Sequence, residues 1–226
     1  MNLSATIEAL FIGMVEDRWP GRPPSAIGKR RTMERLEIGP TGFVRDAQAD
    51  LEAHGGPEKA IHHYPGDHYP AWRTELGRDD LAPGGFGENL STIGLTEDTL
   101  CIGDVLSLGT ATVQVSQGRQ PCWKVAAHTG EERMAYLFQK TGRTGWYYRV
   151  LEPGHVAPGD GIALVERRCP GWTVKRVTQA RLTRRIEPSD AAVLADMAEL
   201  YAGWREAFAR MAAGQTEEDT SARLKG

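Results

Sequence analysis

The amino-acid sequence predicts a mostly β domain of the α+β class, built as a barrel or folded sheet and followed by a helical region. Apolar and polar residues alternate through Thr110–Ser116, which is the period of a half-buried β-strand. Ile102–Leu108 and Pro158–Leu164 each place Gly-Asp at a turn and then alternate, as strands of a barrel do. After about Gly171 the apolar spacing becomes helical. We therefore expect the β domain over residues 1–170 and three helices over residues 171–226.

The other elements of the β domain follow from local patterns. Residues 131–140 are predicted to form a helix, because their apolar side chains share one face and Gly142 follows as a C-terminal cap. Further strands are expected at Ala5–Val15, Met33–Ile38 and Gly145–Leu151.

The last quarter of the chain is predicted to be helical at Val174–Thr183, Pro188–Tyr201 and Ala202–Ala213, and Ser189 can cap the second helix. Helices of this length are marginal alone. We therefore expect them to dock on the sheet or on a partner subunit, as in a homodimer. The charged tail from Gln215 is expected to be mobile.

Composition excludes several classes of function. Lys and Arg number 27 against 30 Asp and Glu, and the net charge of −3 argues against binding to nucleic acid or to anionic lipid. Three cysteines cannot all pair, and Cys101 and Cys169 are interpreted as structural. No apolar stretch reaches the roughly 18 residues of a membrane span, and the N-terminus lacks the features of a signal peptide. We expect a cytoplasmic protein with no membrane contact.

The most informative cysteine is Cys122, in the segment Gly118–Lys124 (GRQPCWK). Pro121 fixes its own φ and favours extended geometry before it, so the backbone defines the position of the cysteine. Arg119 and Lys124 are nearby cations, which favour a thiolate. A thiolate can act as a nucleophile, a sulfur carrier or a soft metal ligand. The alternative is a buried structural cysteine, although the polar run before it argues against an apolar environment.

A second polar region, at residues 46–72, is rich in groups that could bind an anion or a metal. They include His54, Gly55, Gly56, Lys59, His62 and Tyr64. The region contains no HExxH and no paired CxxC, so the histidines alone do not predict a zinc site. Cations, imidazoles and the amides of a glycine turn suit an anionic ligand better. A hydrogen-bonded structural loop is the alternative.

Other isolated positions offer contacts to an anion. The glycine-rich stretch at residues 82–95 lacks the GxGxxG spacing of a dinucleotide site. Within it, Gly87 allows close backbone approach and Asn89 a polar contact. Lys29 and Arg149 could each meet an anion, although a solvated surface charge is the usual role of such a residue.

Five segments together resemble the MOSC family, whose members are similar to the C-terminal part of molybdenum-cofactor sulfurases. They are Pro24–Lys29 (PSAIGK), Asp46–Pro65 (DAQADLEAHGGPEKAIHHYP), Pro83–Leu90 (PGGFGENL), Gly118–Lys124 (GRQPCWK) and Thr144–Leu151 (TGWYYRVL). HGGPxKAxHHYP followed by GRxPCWK is a specific combination and is similar to the bacterial YiiM subgroup. The C-terminal helices look like the extension of that subgroup. One departure is Arg45, where a glycine is expected before Asp46.

The resemblance implies a MOSC β-barrel like that of pyruvate kinase, binding molybdenum cofactor (molybdopterin) with Cys122 as the catalytic residue and the molybdenum ligand. It implies reduction of N-hydroxylated compounds, such as N-hydroxylated purine analogues. Since the sequence has no flavin or nicotinamide motif, electrons would come from a separate flavoprotein-type donor. The residues expected to bind the cofactor are Lys29, His54, Gly55, Gly56, Lys59, His62, Tyr64, Gly87, Asn89, Gly118, Arg119 and Arg149.

Two other functions use the same cysteine or the same cofactor. In the first, Cys122 holds a persulfide and delivers sulfur to another metallocentre, which requires a sulfur donor but no bound molybdenum. In the second, the protein carries the cofactor without catalysing a reaction. Metal analysis distinguishes the first from the reductase, and turnover with hydroxylamines distinguishes the second.

Overall fold

The computed structural model describes residues 3–50 and 55–225. Their strands are β1 Ser4–Ile12, β2 Arg30–Thr32, β3 Leu36–Gly39, β4 Gly42–Phe43, β5 Ile61–His63, β6 Leu90–Thr92, β7 Val105–Leu108, β8 Ala111–Gly118, β9 Trp146–Glu152, β10 Gly154–Val156 and β11 Gly161–Glu166. Seven of them close into a barrel in the order β11-β7-β8-β9-β5-β6-β1, since β1 also pairs with β11. Strand β2 extends the barrel at β1, and β10, β3 and β4 form a small separate sheet. The predicted barrel is confirmed.

The two segments with the repeated Gly-Asp turn become neighbouring strands of this barrel. Strands β7 and β11 pair antiparallel, with Leu106 opposite Leu164. In each turn the aspartate carboxylate accepts the amide three residues before it: Asp104 from Cys101 and Asp160 from Ala157, both at 2.8 Å. The sequence similarity therefore reflects one turn chemistry used twice.

The strand predicted around Val113 is present as β8, but the prediction that it is half-buried is wrong. Gln114 and Ser116, expected on an exposed face, are 3% and 0% exposed. The Ser116 hydroxyl donates to the carbonyl of Glu58 at 2.6 Å, in a single 3-10 turn over Pro57–Lys59. This turn and the helical segment over Val174–Thr183 pack against β8, and no residue of the strand is exposed.

The helices are α1 His68–Leu76, α2 Trp123–Thr129, α3 Met134–Thr141, α4 Val174–Thr183, α5 Pro188–Asp196, α6 Ala202–Ala212 and α7 Ser221–Lys225. Helix α3 has the predicted apolar face and its C-terminal cap, Gly142 with φ 72°. Helices α1 and α2 were not predicted. With α3 they bury an aromatic cluster made of Tyr64, Tyr69, Trp72, Leu81, Phe86, Val125, Met134, Ala135 and Phe138. No helix in the described ranges is long and apolar enough to cross a membrane.

Helices α4, α5 and α6 dock on the barrel, as expected, and their apolar side chains join the barrel core. The predicted cap at Ser189 is wrong. Helix α5 begins at Pro188, so Ser189 lies inside its first turn, and the residue before the helix, Glu187, makes no side-chain capping bond. The tail from Gln215, for which mobility stays a prediction, makes specific contacts. Its Glu218 accepts hydrogen bonds from Arg181 at 2.6 and 3.0 Å, and α7 follows.

Candidate functional site

A cavity forms where segments from distant parts of the chain meet. Its wall comes from residues within 25–29, 46–50, 59–62, 87–89 and 119–124, and from Tyr147. The cavity gathers seven of the sequence-predicted site residues, namely Lys29, Lys59, His62, Gly87, Asn89, Arg119 and Cys122. Residues far apart in the sequence therefore contribute to one concave surface.

Cys122 lies in the cavity wall, with 8% of its surface exposed, and it is not in a disulfide. It immediately precedes α2 and has extended backbone geometry, with φ −128° and ψ 173°. Pro121 ends the preceding turn, as the sequence suggested, and Gly130 closes the helix with φ 69°. The helical run after the cysteine and its C-terminal glycine are the pattern from which α2 could have been predicted.

Arg119 connects the cysteine turn to the glycine-rich loop. The residue is 7% exposed, and its guanidinium donates to the carbonyl of Phe86 at 2.6 Å. The loop is shaped by Glu88, which is fully buried and accepts the amides of Gly84 and Phe86 at 2.6 and 3.1 Å. Burial raises the pKa of Glu88, and these hydrogen bonds oppose the rise. Gly87 is required here, because its φ is 77° and an added Cβ would lie 2.6 Å from Ile27.

Asp46 is the principal residue that the sequence analysis did not assign to the site. Its carboxylate accepts from the Lys29 ammonium at 2.6 and 2.7 Å, from the Asn89 amide at 2.8 Å and from the backbone of Gly13 at 2.7 Å. Burial lowers the pKa of Lys29, and the neighbouring Asp46 counteracts this. Lys29 thus lies in the wall as one half of a buried ion pair, rather than as an isolated cation.

His62 and Tyr147 form a ring pair in the wall, with centroids 5.0 Å apart on paired strands β5 and β9. Burial, and secondly the charge of Arg119, holds the pKa of His62 well below its usual value, so the imidazole is neutral. Within the described residues its Nε2 makes no hydrogen bond. Burial raises the pKa of Tyr147, so its phenol remains protonated near neutral pH. Both rings offer neutral polar groups beside the charged wall.

Lys59 and Lys124 add two more cations. The Lys59 ammonium lies 5.0 Å from the centre of the Tyr201 ring, a cation–π contact that connects the cavity to the C-terminal region. Burial lowers the pKa of Lys59. Lys124 is 7% exposed and reaches the carbonyl of Pro24 at 3.5 Å. Before Lys59, Gly56 has φ 82° and donates to the side chain of Gln48, so this glycine turn lies beside the cavity and not in its wall.

Three predicted residues lie elsewhere. Tyr64 belongs to the aromatic cluster, where its hydroxyl accepts from Trp72 at 2.6 Å. Arg149 lies two residues after Tyr147 on β9, and its guanidinium donates to the carboxylate of Glu58 at 2.5 Å. Gly118 faces α4 and not the cavity. The placement of these three residues depends on the register of the strands and on their packing partners, and the spacing of residues along the sequence specifies neither. Gly55 is buried beside Gly56 outside the wall, and His54 lies outside the described residues.

The composition of the cavity wall suits an anionic ligand that can also bind to a thiol. Among the described residues its charged side chains are four cations, Lys29, Lys59, Arg119 and Lys124, and two carboxylates, Asp46 and Asp50. No group of three His, Cys, Asp or Glu side chains in the described part of the chain is arranged to hold a metal ion. The geometry therefore combines net positive charge, close backbone approach and one sulfur.

Comparison with known proteins identifies relatives of this chain in bacteria and in a fungus. YflK of Bacillus subtilis, described as uncharacterized, is 43% identical over 190 residues, 81% of this chain and 83% of that protein. YiiM of Escherichia coli is 40% identical over 161 residues, covering 70% of this chain and 71% of YiiM. A protein of Gibberella moniliformis named a reductase is 40% identical over 167 residues, 71% of this chain but only 30% of the fungal protein.

Solved structures show the same fold. YiiM from Geobacillus stearothermophilus aligns with a TM-score of 0.79 at 32% identity, covering 92% of this chain and 99% of that one. The structure of Escherichia coli YiiM aligns with a TM-score of 0.78 at 30% identity over 100% and 98% of the two chains. Residues 50–163 match the MOSC domain, and this chain therefore belongs to the MOSC domain family.

Proposed function

We propose that this protein binds molybdenum cofactor in the cavity and acts in the cytoplasm as an oxidoreductase that reduces N-hydroxylated compounds to amines. Membership of the MOSC family and the similarity to a protein named a reductase support an oxidoreductase role. The observation that carries the proposal is the position of Cys122, a thiol in the wall of a cavity that is rich in cations.

The residues present fit this cofactor. Its phosphate requires cations and backbone amides, which Lys59, Arg119, Lys124 and the Gly87 loop can supply. A thiolate is a ligand that molybdenum accepts, and Cys122 is the cysteine in the wall. The two carboxylates oppose an anion, but that of Asp46 is already neutralised by Lys29. The Nε2 of His62, which has no hydrogen-bond partner among the described residues, is a buried polar atom of the kind that a bound ligand can satisfy.

The net reaction converts R–NHOH, two electrons and two protons into R–NH2 and water. When bound, the cofactor supplies a metal that accepts oxygen and passes electrons, which side chains cannot do. The protein holds the cofactor through its cations, tunes it through the Cys122 sulfur and places the protonated Tyr147 phenol in the same wall. The electrons are proposed to come from a separate flavoprotein-type donor.

The test is Cys122→Ser in protein produced by a host that synthesises the cofactor. We expect the unaltered protein to contain molybdenum and a fluorescent pterin and to reduce an N-hydroxylated purine analogue with a chemical reductant. Cys122→Ser should abolish reduction with little change in thermal stability. The matched control is Cys169→Ser, a half-buried cysteine outside the cavity, which should retain activity. Unchanged turnover in Cys122→Ser would eliminate the mechanism.

The same preparations distinguish the other functions. Protein without molybdenum that carries labile sulfur on Cys122 would indicate sulfur transfer. Protein that retains molybdenum and pterin but reduces no hydroxylamine would indicate a carrier of the cofactor.

A further inference from the structure

The turn that carries Cys122 is held from outside by the C-terminal end of the chain. Arg223, in α7, donates one hydrogen bond to the carbonyl of Pro121 and a second, at 3.0 Å, to the side chain of Gln139. Gln139 lies on α3. One guanidinium therefore joins the peptide group immediately before the cysteine to a helix of the aromatic cluster. Of these three residues, only Pro121 belongs to the GRQPCWK motif.

The position of this C-terminal segment is itself specified by partly buried contacts. Glu218 accepts two hydrogen bonds from Arg181, whose side chain is only 7% exposed, and one from Arg184 at 3.1 Å. The hydrogen bond from Arg181 is the main reason that the pKa of Glu218 is lowered. Leu224 packs against the aromatic cluster. The segment is thus anchored on both sides of Arg223, by an ion pair before it and by an apolar contact after it.

The bond to Pro121 acts on the backbone of the cysteine directly. The carbonyl of Pro121 and the amide of Cys122 belong to one rigid peptide plane, so a donor on the carbonyl also restrains the orientation of the cysteine. The proline ring restrains only φ of residue 121, which leaves its ψ to be determined by contacts of this kind. A charged donor makes a stronger hydrogen bond than a neutral one. Arg223 is also close enough to Cys122 to interact with it electrostatically.

We propose that Arg223 is a positioning residue for Cys122 and that the C-terminal segment is part of the site. Without Arg223 the turn at residues 119–122 samples more orientations, and the sulfur is no longer held at one place in the cavity wall. The effect on the backbone is independent of the reaction. Its consequence for retention of molybdenum rests on the proposed function.

The experiment compares Arg223→Ala, Arg223→Lys and Arg210→Ala, the last altering an exposed arginine on the outside of α6. Hydrogen–deuterium exchange of cofactor-free protein is followed in peptides that cover residues 119–125. Arg223→Ala should exchange there about tenfold faster, the factor expected for the loss of one charge-assisted hydrogen bond. Arg223→Lys keeps one donor and should be intermediate, while Arg210→Ala should match the unaltered protein. Glu218→Gln, which loosens the other anchor, should change exchange in the same direction.

Molybdenum per chain is measured on the same variants made in a cofactor-producing host. We expect the molybdenum content to fall at least severalfold in Arg223→Ala and to fall less in Arg223→Lys. It should be unchanged in Arg210→Ala, and the thermal unfolding temperature should be unchanged in all three variants. Unchanged exchange in Arg223→Ala would overturn the proposal. If Arg223→Ala exchanges faster but keeps its full molybdenum content, the proposal that Arg223 positions Cys122 for the cofactor would be overturned. If even the unaltered protein lacks molybdenum, the proposed function fails, and the exchange data still decide whether Arg223 restrains the turn.

Discussion

At the scale of single residues, a few buried charges organise the cavity. Asp46 connects the end of β1, Lys29 and Asn89 through one carboxylate, and the side chains of Asp46 and Lys29 are 4% and 7% exposed. Removing one partner of a buried pair leaves an uncompensated charge, which costs far more than the loss of an exposed pair. The contribution of Asp46 to stability is therefore set by burial and not by the bond lengths alone.

Asp46→Asn should lower the free energy of unfolding by about 3 kcal/mol, because Lys29 would keep its buried charge without a counter-ion. Glu34→Gln, in the exposed pair between Arg45 and Glu34, should cost less than about 1 kcal/mol. Urea unfolding at neutral pH measures both. Equal losses in the two variants would contradict this account.

His63 makes stability sensitive to acid. Its two ring nitrogens contact the hydroxyls of Tyr148 and Thr92, each at 3.0 Å, and burial lowers its pKa from 6.5 to about 3. The unfolded chain takes up a proton below pH 6.5, whereas the folded chain does not until about pH 3. The stability that His63 contributes is therefore complete above pH 6.5 and is lost as the pH falls toward 3.

His63→Gln should reduce the slope of unfolding free energy against pH by up to about 1.4 kcal/mol per unit in the acidic range, since one titrating proton is removed. Above pH 7 the two slopes should agree. Denaturant titrations at pH 4.5, 5.5 and 7.5 test this, because these values lie on either side of the unfolded pKa. Parallel curves through the acidic range would show that His63 does not carry the effect.

At the scale of elements, the outer face of the barrel depends on close approach between a strand and a helix. Gly118, at the end of β8, lies against Thr178 of α4, and an added Cβ would come within 1.8 Å of the Thr178 hydroxyl. Thr178 is fully buried, and its hydroxyl has no hydrogen-bond partner in the described part of the chain. The glycine of the GRQPCWK motif is thus needed for packing, rather than for contact with the cavity.

Gly118→Ala should destabilise the protein by about 1–3 kcal/mol through overpacking. Thr178→Ala alone should have a small effect, because the hydroxyl makes no bond within the described residues. The double variant should recover part of the loss, since the closest clash is with the hydroxyl. Thermal unfolding of the four proteins gives the coupling energy, and strict additivity would refute the contact.

At the scale of the whole molecule, the barrel and the C-terminal helices share one core. Val113 and Trp146 of the barrel belong to the same apolar cluster as Val177, Leu194 and Phe208 of helices α4, α5 and α6. Short helices are marginal alone, so the barrel supplies the surface on which they form. A change in the helices should accordingly be transmitted to the barrel.

Phe208→Ala, at a fully buried position on α6, should cost about 3–5 kcal/mol. Unfolding should remain a single transition in which far-ultraviolet circular dichroism and tryptophan fluorescence coincide, since one core serves both parts. An early transition in the helices followed by a separate unfolding of the barrel would show that the two regions are energetically independent.

Much of this architecture was predictable from local patterns. Period-2 alternation located β8, and paired Gly-Asp turns indicated β7 and β11. Helical spacing with a terminal glycine predicted α3. Helix α2 was not predicted, because its seven residues are too few for a clear helical period and directly follow the polar segment before Cys122. Such features depend on a few consecutive residues, and their geometry follows from backbone sterics and side-chain period.

The sequence by itself determined the barrel, the three C-terminal helices and a cysteine turn flanked by cations. Only the tertiary structure decided that Lys29 is paired with Asp46, that Arg149 is bound to Glu58 outside the cavity, and that Arg223 reaches Pro121 from the end of the chain. Each of these contacts joins residues well separated in sequence. Their formation depends on how the barrel closes and on which charges burial forces to pair, and the spacing of residues along the chain contains neither.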